Sequence, residues 1–295
     1  MPRLDQQMQL TGSRILGYDD RGPSSGRPLF YFHGSPSSRI ESRMYISDQM
    51  LEALHVRMIV PDRPGLGLST FQPGRSLLDW PQDVLALADH LKMDRFSILG
   101  YSLGGPYGAA CAFAIKQRLM RVGIVSGAAM FTLPELTTNI NEGTRSFLFM
   151  PRDKPWLSRL YLGIMLGVLP RLAPGSFVAG AASILPEVDR KIVQSDSTFR
   201  DGFIAMVREA TRQGTRGAFW ESLLTVTQYG FQLQDIQIPV HLWHGEADKN
   251  IPVEMARFMA AAIPKCEARF YPQEGHLSLF KNHAEEIIGA LVHDS

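Results

Sequence analysis

The stretch "SILGYSLGGPYGAA", Ser97 to Ala110, decides the fold. Apolar residues run into Gly100-Tyr101-Ser102-Leu103-Gly104, a Gly-x-Ser-x-Gly pattern, and a segment of small residues follows. A strand that reverses into a helix over so few residues forces the central serine into a strained backbone conformation, and its neighbours must be very small. Gly100, Gly104 and Gly105 meet that demand. The turn would lift the Ser102 hydroxyl to the carboxyl edge of a sheet, where open α/β folds bind ligands, and aim the Leu103 amide at the same point. Taken alone, the pattern also fits a glycine-rich loop with an incidental serine.

Outward from this stretch, short apolar runs alternate with helical patterns, the signature of parallel strands joined by crossover helices. The strand-like runs are "PLFYFHG" from Pro28, "VRMIVPDRPG" from Val56, "RFSILG", "RVGIVSGAA" from Arg121, "IPVHLWHGEAD" and "EARFYPQEGH". They are dense in apolar residues rather than alternating, as expected when both faces of a parallel sheet are covered. Helices are predicted in "ISDQMLEALHV", in "SLLDWPQDVLALADHLKM", where Leu77, Val84, Leu85, Ala88 and Leu91 share a face, and in "VEMARFMAAAI" and "HAEEIIGALV". Between Phe131 and Gln234 the rhythm breaks into helix-like segments punctuated by proline, among them "PWLSRLYLGIMLGVLPRL" and "DGFIAMVREATRQ". The expected architecture is an α/β core over 1–130 and 235–295, with an all-helical insertion over 131–234.

With 295 residues the chain can bury a large core, and its formal net charge of +1 gives no basic face for nucleic acid. Two cysteines, Cys111 and Cys266, read as reduced buried thiols of a cytoplasmic protein. The N-terminal "MPRLDQQMQLTGSR" lacks the apolar core of a signal peptide. The most apolar segment, "LYLGIMLGVLP", is bracketed by Arg159 and Arg171 and is too short to span a bilayer.

A serine hydroxyl is a weak nucleophile near neutral pH and needs a base, which needs an orienting carboxylate. In a fold of this kind the chain order is Ser, acid, His. Asp248 follows one apolar strand and His276 follows the last, in that order; Glu246 competes with Asp248 for the acid role. Asp62 also follows a strand but precedes Ser102, so it reads as a turn residue. His241 and His244 fall on opposite faces of one strand and make a poor metal pair, and His244 reads as a loop or packing residue. Acyl transfer also needs donors for the developing oxyanion; the backbone N–H of Ser35, in "HGSP", and that of Leu103 are the candidates.

The sequence resembles the α/β-hydrolase superfamily. The resemblance rests on "YFHGSPSSR", "VPDRPGLGLS", "ILGYSLGGPYG", "LWHGEADKNIP" and "PQEGHLSL" and covers roughly two-thirds of the chain. It implies Ser102 as nucleophile, Asp248 as the acid in His-Gly-x-x-Asp-x-x-x-Pro, His276 as the base in Gly-His and Ser35 as an oxyanion donor. It also implies that the helical insertion caps the active site and sets substrate choice. A serine at the nucleophile position disfavours haloalkane dehalogenases and many epoxide hydrolases, and His-Gly-Ser-Pro differs from the His-Gly-Gly-Gly loop of many lipases.

The expected function is hydrolysis of a small to medium, fairly apolar carboxylic ester through an acyl-enzyme, with no metal or organic cofactor. The insertion carries Phe147, Phe149, Met150, Trp156, Met165, Phe203, Met206 and Trp220, as candidate pocket lining or as its own core. A proline-iminopeptidase-like or carbon–carbon bond hydrolase would use the same residues, the former drawing on Glu135, Glu142, Glu209 or Glu221 to hold a substrate ammonium. A non-catalytic binding protein on the same scaffold is the reading from another class.

Overall fold

The structure is a computed structural model that describes residues 2–129 and 131–293. Its frame is an eight-stranded sheet: β1 (Arg3–Gln9), β2 (Ile15–Arg21), β3 (Arg27–Phe32), β4 (Val56–Pro61), β5 (Phe96–Tyr101), β6 (Leu119–Val125), β7 (Val240–Gly245) and β8 (Cys266–Tyr271), in the order β1-β2-β4-β3-β5-β6-β7-β8. The pairs β1–β2 and β2–β4 are antiparallel; every other pair is parallel.

The dense apolar runs are explained by two cores, one on each face. Phe30, Phe32 and Ile98 pack on one side, and Leu29, Tyr31 and Leu99 on the other. Six of the strands correspond to the runs read from sequence; β1 and β2 were not among them. β1 is largely exposed and polar, and β2 buries Asp19, Asp20 and Arg21 in ion pairs, so neither carries an apolar signature.

A single helical turn (Ser42–Tyr45) and α1 (Asp48–Ala53) connect β3 to β4, α2 (Trp80–His90) connects β4 to β5, and α3 (Gly104–Ala114) connects β5 to β6. The chain between β6 and β7 holds only helices among its described residues. They are α4 (Glu142–Asp153), α5, α6 (Pro174–Ser183), α7 (Glu187–Ser195), α8 (Ser197–Ala210) and α9 (Arg216–Thr225). α5 begins at Pro155–Leu162, continues through a π-helical stretch, Gly163–Val168, and ends with Leu169–Leu172. Asn141 and Asp196 fix two of these starts, their side chains accepting the Thr144 and Phe199 amides at 2.8 and 2.9 Å. α6 and α7 are additions to the helices read from sequence. α10 (Val253–Ala262) and α11 (His276–Val292) complete the core.

Candidate active site

β5 ends at the centre of the sheet, and Ser102 follows it with φ of 54°, left-handed for a residue with a side chain. The surroundings allow nothing larger than hydrogen at Gly100 and Gly104, two positions to either side. A Cβ on Gly100 would lie 2.6 Å from the Gly104 carbonyl oxygen, and one on Gly104 would collide with the Phe32 carbonyl. The Ser102 amide donates to the Val125 carbonyl at 3.0 Å, and the Ser102 carbonyl accepts from Gly105 and Ala128. Backbone bonds to β6 and α3 thus hold the strained turn.

His276 Nε2 lies 3.0 Å from Ser102 Oγ, and its Nδ1 lies 2.7 Å from Asp248 Oδ2. A carboxylate can only accept, so Nδ1 carries the hydrogen and Nε2 is left to accept from the serine hydroxyl. Asp248 Oδ1 is occupied by the amides of Asn250 and Ile251 at 2.8 and 2.9 Å, which orients Oδ2 toward the imidazole. The structure therefore brings Ser102, His276 and Asp248 together, all buried. Glu246 points elsewhere and pairs with Arg257. His244 is a buried packing residue whose Nε2 meets the Ile251 carbonyl at 2.8 Å.

His276 is the first residue of α11, and its backbone is held as firmly as its ring. The Asp189 carboxylate, from α7, accepts the amides of His276, Leu277 and Ser278 at 2.7, 3.1 and 2.9 Å. These are the donors that a helix start leaves without partners. Tyr101 donates its hydroxyl to the His276 carbonyl at 3.1 Å. Burial opposes the imidazolium, but the carboxylates of Asp248, Asp189 and Glu41 outweigh it and raise His276 above its ordinary value.

The His33–Ser37 loop lies against the serine: a Cβ on Gly34 would sit 3.2 Å from Ser102 Cβ. Glu41 accepts the Gly34 amide at 2.8 Å, so that donor is taken, while no protein acceptor engages the Ser35 or Leu103 amide among the described residues. Burial raises the Glu41 carboxyl above the usual range. Beneath the loop, Arg63 donates to the carbonyls of His33 and Gly34 and pairs with Glu221 of α9 at 2.6 and 2.7 Å. Tyr107 donates to the same carboxylate at 3.0 Å. Burial, with the Arg63 charge beside it, depresses His33 to about 3, so its ring is neutral.

A cavity of about 420 Å³ opens over Ser102 and reaches His276, Ser35 and Leu103. Its walls are mostly apolar: Phe147 and Leu148 of α4, Met165 of α5, Phe177 of α6, Phe203 and Met206 of α8. Among the described residues Glu41 is its one carboxylate, and no lysine or arginine lines it. Of the aromatic and sulfur residues weighed as lining, Phe149, Met150, Trp156 and Trp220 stand outside it. Among the described residues no group of three or more His, Cys, Asp or Glu side chains is arranged to hold a metal ion.

A model of the alpha/beta hydrolase family matches residues 29–290. The chain belongs to this family. The likeness extends to a proline iminopeptidase from Xanthomonas citri, 23% identical over 98% of this chain and 96% of that protein. The uncharacterized hydrolase YcgS of Bacillus subtilis is 27% identical over 50% of this chain; the chain spans half the length of that relative. Among solved structures, a hydrolase from Pseudomonas aeruginosa superposes with a TM-score of 0.72 at 22% identity, over 98% of both chains. A thermophilic esterase from Thermogutta terrifontis does so at 0.69 and 20%, over 97% of both.

Sequence reasoning missed three residues that shape this α/β-hydrolase site: Glu41, Arg63 and Asp189. Arg63 sits inside the quoted "VPDRPG", yet its role depends on Glu221, 158 positions away. Asp62, read as a turn residue, does accept the Leu68 amide at 2.8 Å; it also pairs with Arg39, which reaches Glu209 of α8.

Proposed function

We propose that this hydrolase cleaves carboxylic esters through an acyl-enzyme on Ser102. The observation that carries the reading is the hydrogen-bonded chain Asp248–His276–Ser102, at 2.7 and 3.0 Å, opening on an apolar cavity. Ser102 Oγ attacks the ester carbonyl as His276 Nε2 takes its proton. Asp248 holds the tautomer and stabilises the imidazolium that forms. The amides of Ser35 and Leu103 receive the oxyanion. His276 then gives its proton to the leaving alcohol, and water attacks the acyl-enzyme by the reverse sequence, returning Ser102 to its hydroxyl form.

The helices of 131–234 act as a cap that sets substrate choice, since most of the apolar wall comes from them. The wall favours an uncharged, medium-sized apolar ester. An aminopeptidase would need a free carboxylate for the substrate ammonium. Glu41, on the cavity wall, already accepts from Tyr31 and the Gly34 amide; Glu221 is committed to Arg63 and Arg75, Glu209 to Arg39 and Arg212, and neither Glu135 nor Glu142 lines the cavity. Some relatives are named for cleaving dienedioates, such as the 2-hydroxy-6-oxononadienedioate hydrolase of Paraburkholderia phymatum. A dioate here would find no cationic side chain on the cavity wall.

The test is a panel of p-nitrophenyl esters and aminoacyl anilides offered to wild type and Ser102→Ala. Turnover of esters, reduced by about 10⁴-fold or more in Ser102→Ala, is expected. Ester turnover surviving in Ser102→Ala would overturn the mechanism, and preference for prolyl anilides would overturn the substrate class.

A further inference from the structure

Eight large apolar side chains are exposed among the described residues, and five of them stand on α5. They are Trp156, Leu160, Ile164, Val168 and Leu172, exposed by 73, 56, 46, 45 and 80%, each four positions after the last. In a uniform α-helix a four-residue spacing drifts by about 40° per step and would wind the row around the helix. The π-helical stretch Gly163–Val168 has wider turns, so it rotates the row back and keeps it near one side. The opposite side of α5 holds Leu162, Met165 and Leu166 against the cavity. One helix thus forms the cavity wall with one face and shows water a straight apolar row with the other.

The residues around the row favour one occupant. From Arg152 to Leu172 the chain carries Arg152, Lys154, Arg159 and Arg171 against Asp153 alone. Only Arg152 has a carboxylate partner among the described residues. Arg159 lies over the Phe219 ring, and Arg171 donates to the carbonyls of Gly167 and Arg208. A symmetric pairing of two copies through this face would bring like charges together. An amphipathic helix with cationic flanks and a tryptophan near one end instead suits the boundary between lipid headgroups and acyl chains. No helix among the described residues is long and apolar enough to cross a membrane, so the contact would lie along the surface.

We propose that the outer face of α5 docks on an anionic lipid surface, with Trp156, Leu160, Ile164, Val168 and Leu172 entering the interface and the exposed Arg152 and Lys154 at its start facing the headgroups. None of the five lines the cavity, so docking is separable from the chemistry proposed for Ser102.

The test uses the full chain with vesicles of phosphatidylglycerol and of phosphatidylcholine, read by co-sedimentation and tryptophan emission. Wild type and Ser102→Ala should bind phosphatidylglycerol vesicles equally, with a blue shift from Trp156, and should bind phosphatidylcholine weakly. Ile164→Ser/Leu172→Ser should lose about tenfold or more of that binding, because two apolar side chains leave the interface. Arg152→Glu/Lys154→Glu should lose the preference for phosphatidylglycerol. Turnover of a soluble short-chain ester by both variants at the wild-type rate shows that they are folded. Absence of vesicle binding by the wild type would overturn the proposal while leaving ester hydrolysis standing. So would a dimer in light scattering that Ile164→Ser/Leu172→Ser dissolves, since the face would then belong to a second copy.

Discussion

Replacing Glu221 by glutamine tests how the site is held. Glu221 and Arg63 are both fully buried, and the guanidinium that pairs with this carboxylate also holds the carbonyls of His33 and Gly34. Burial alone would raise Glu221, but the charges of Arg63 and Arg75 outweigh it and bring it down to about 2. A carboxyl depressed from 4.5 to about 2 contributes on the order of 3 kcal/mol of stability at neutral pH. Breaking a buried pair from one side costs about 3–5 kcal/mol in general, because the partner charge is left uncompensated. Glu221→Gln should therefore lose about 3 kcal/mol at pH 7, read as a lower denaturant midpoint with unchanged slope. The sign follows from the depressed value: the contribution is complete above the unfolded value of 4.5 and is lost as pH falls toward 2. The gap between wild type and Glu221→Gln should thus close across that window. A double replacement, Arg63→Met/Glu221→Met, should not restore the stability, since Arg75 is then buried without its carboxylate, and ester turnover should fall because the loop carrying Ser35 loses its anchor. A cost under about 1 kcal/mol at pH 7, or a gap unchanged from pH 6 to pH 3, would refute the reasoning.

Two further outcomes concern the reaction itself. Asp189→Asn removes a negative charge that faces His276 together with Asp248 and Glu41, while His244 and Tyr101 pack nearby. His276 must be neutral to act as base and its value is raised, so the acidic limb of kcat/KM should move to lower pH in Asp189→Asn; an unmoved or rising limb contradicts the assignment. Met165→Trp should shorten the cavity and lower kcat/KM for octanoyl esters by about tenfold relative to acetyl esters, and an equal effect on both would place the acyl chain elsewhere.

What pattern reading recovered and missed follows a physical division. Of the six legible strands, five are mostly buried on both faces and so densely apolar, while β8 is a half-exposed edge strand. β1 and β2 were not legible, because one is exposed and the other buries Asp19 and Asp20 against arginines, which looks like surface in a sequence. α6 holds Gly175 and Gly180 and shows no clear apolar stripe, and α7 is short and mostly polar, its stripe confined to Val188, Ile192 and Val193. Ser102, Asp248 and His276 could be proposed because each stands at a strand's carboxyl end, a local feature, with the family resemblance choosing Asp248 over Glu246 at the same strand end. Asp189, Arg63 and Arg39 could not, because their partners lie 87, 158 and 170 positions away in the chain. These three polar ties share a geometry: each joins a helix between β6 and β7 to a segment at the sheet's carboxyl edge. Asp189 meets the start of α11 at His276, Glu221 meets Arg63 beneath the His33–Ser37 loop, and Glu209 meets Arg39, which also pairs with Asp62. For Asp189 and Glu221, loss of the carboxylate leaves buried donors without compensation, whereas Arg39 keeps Asp5 and Asp62 when Glu209 is lost. A substitution at Asp189 or Glu221 would therefore be felt by the loops around Ser102 without touching the cavity wall. On the proposed function, the helical segment would influence the site through two routes, the apolar lining of the cavity over Ser102 and the carboxylates of Asp189 and Glu221 that tie down the segments around it.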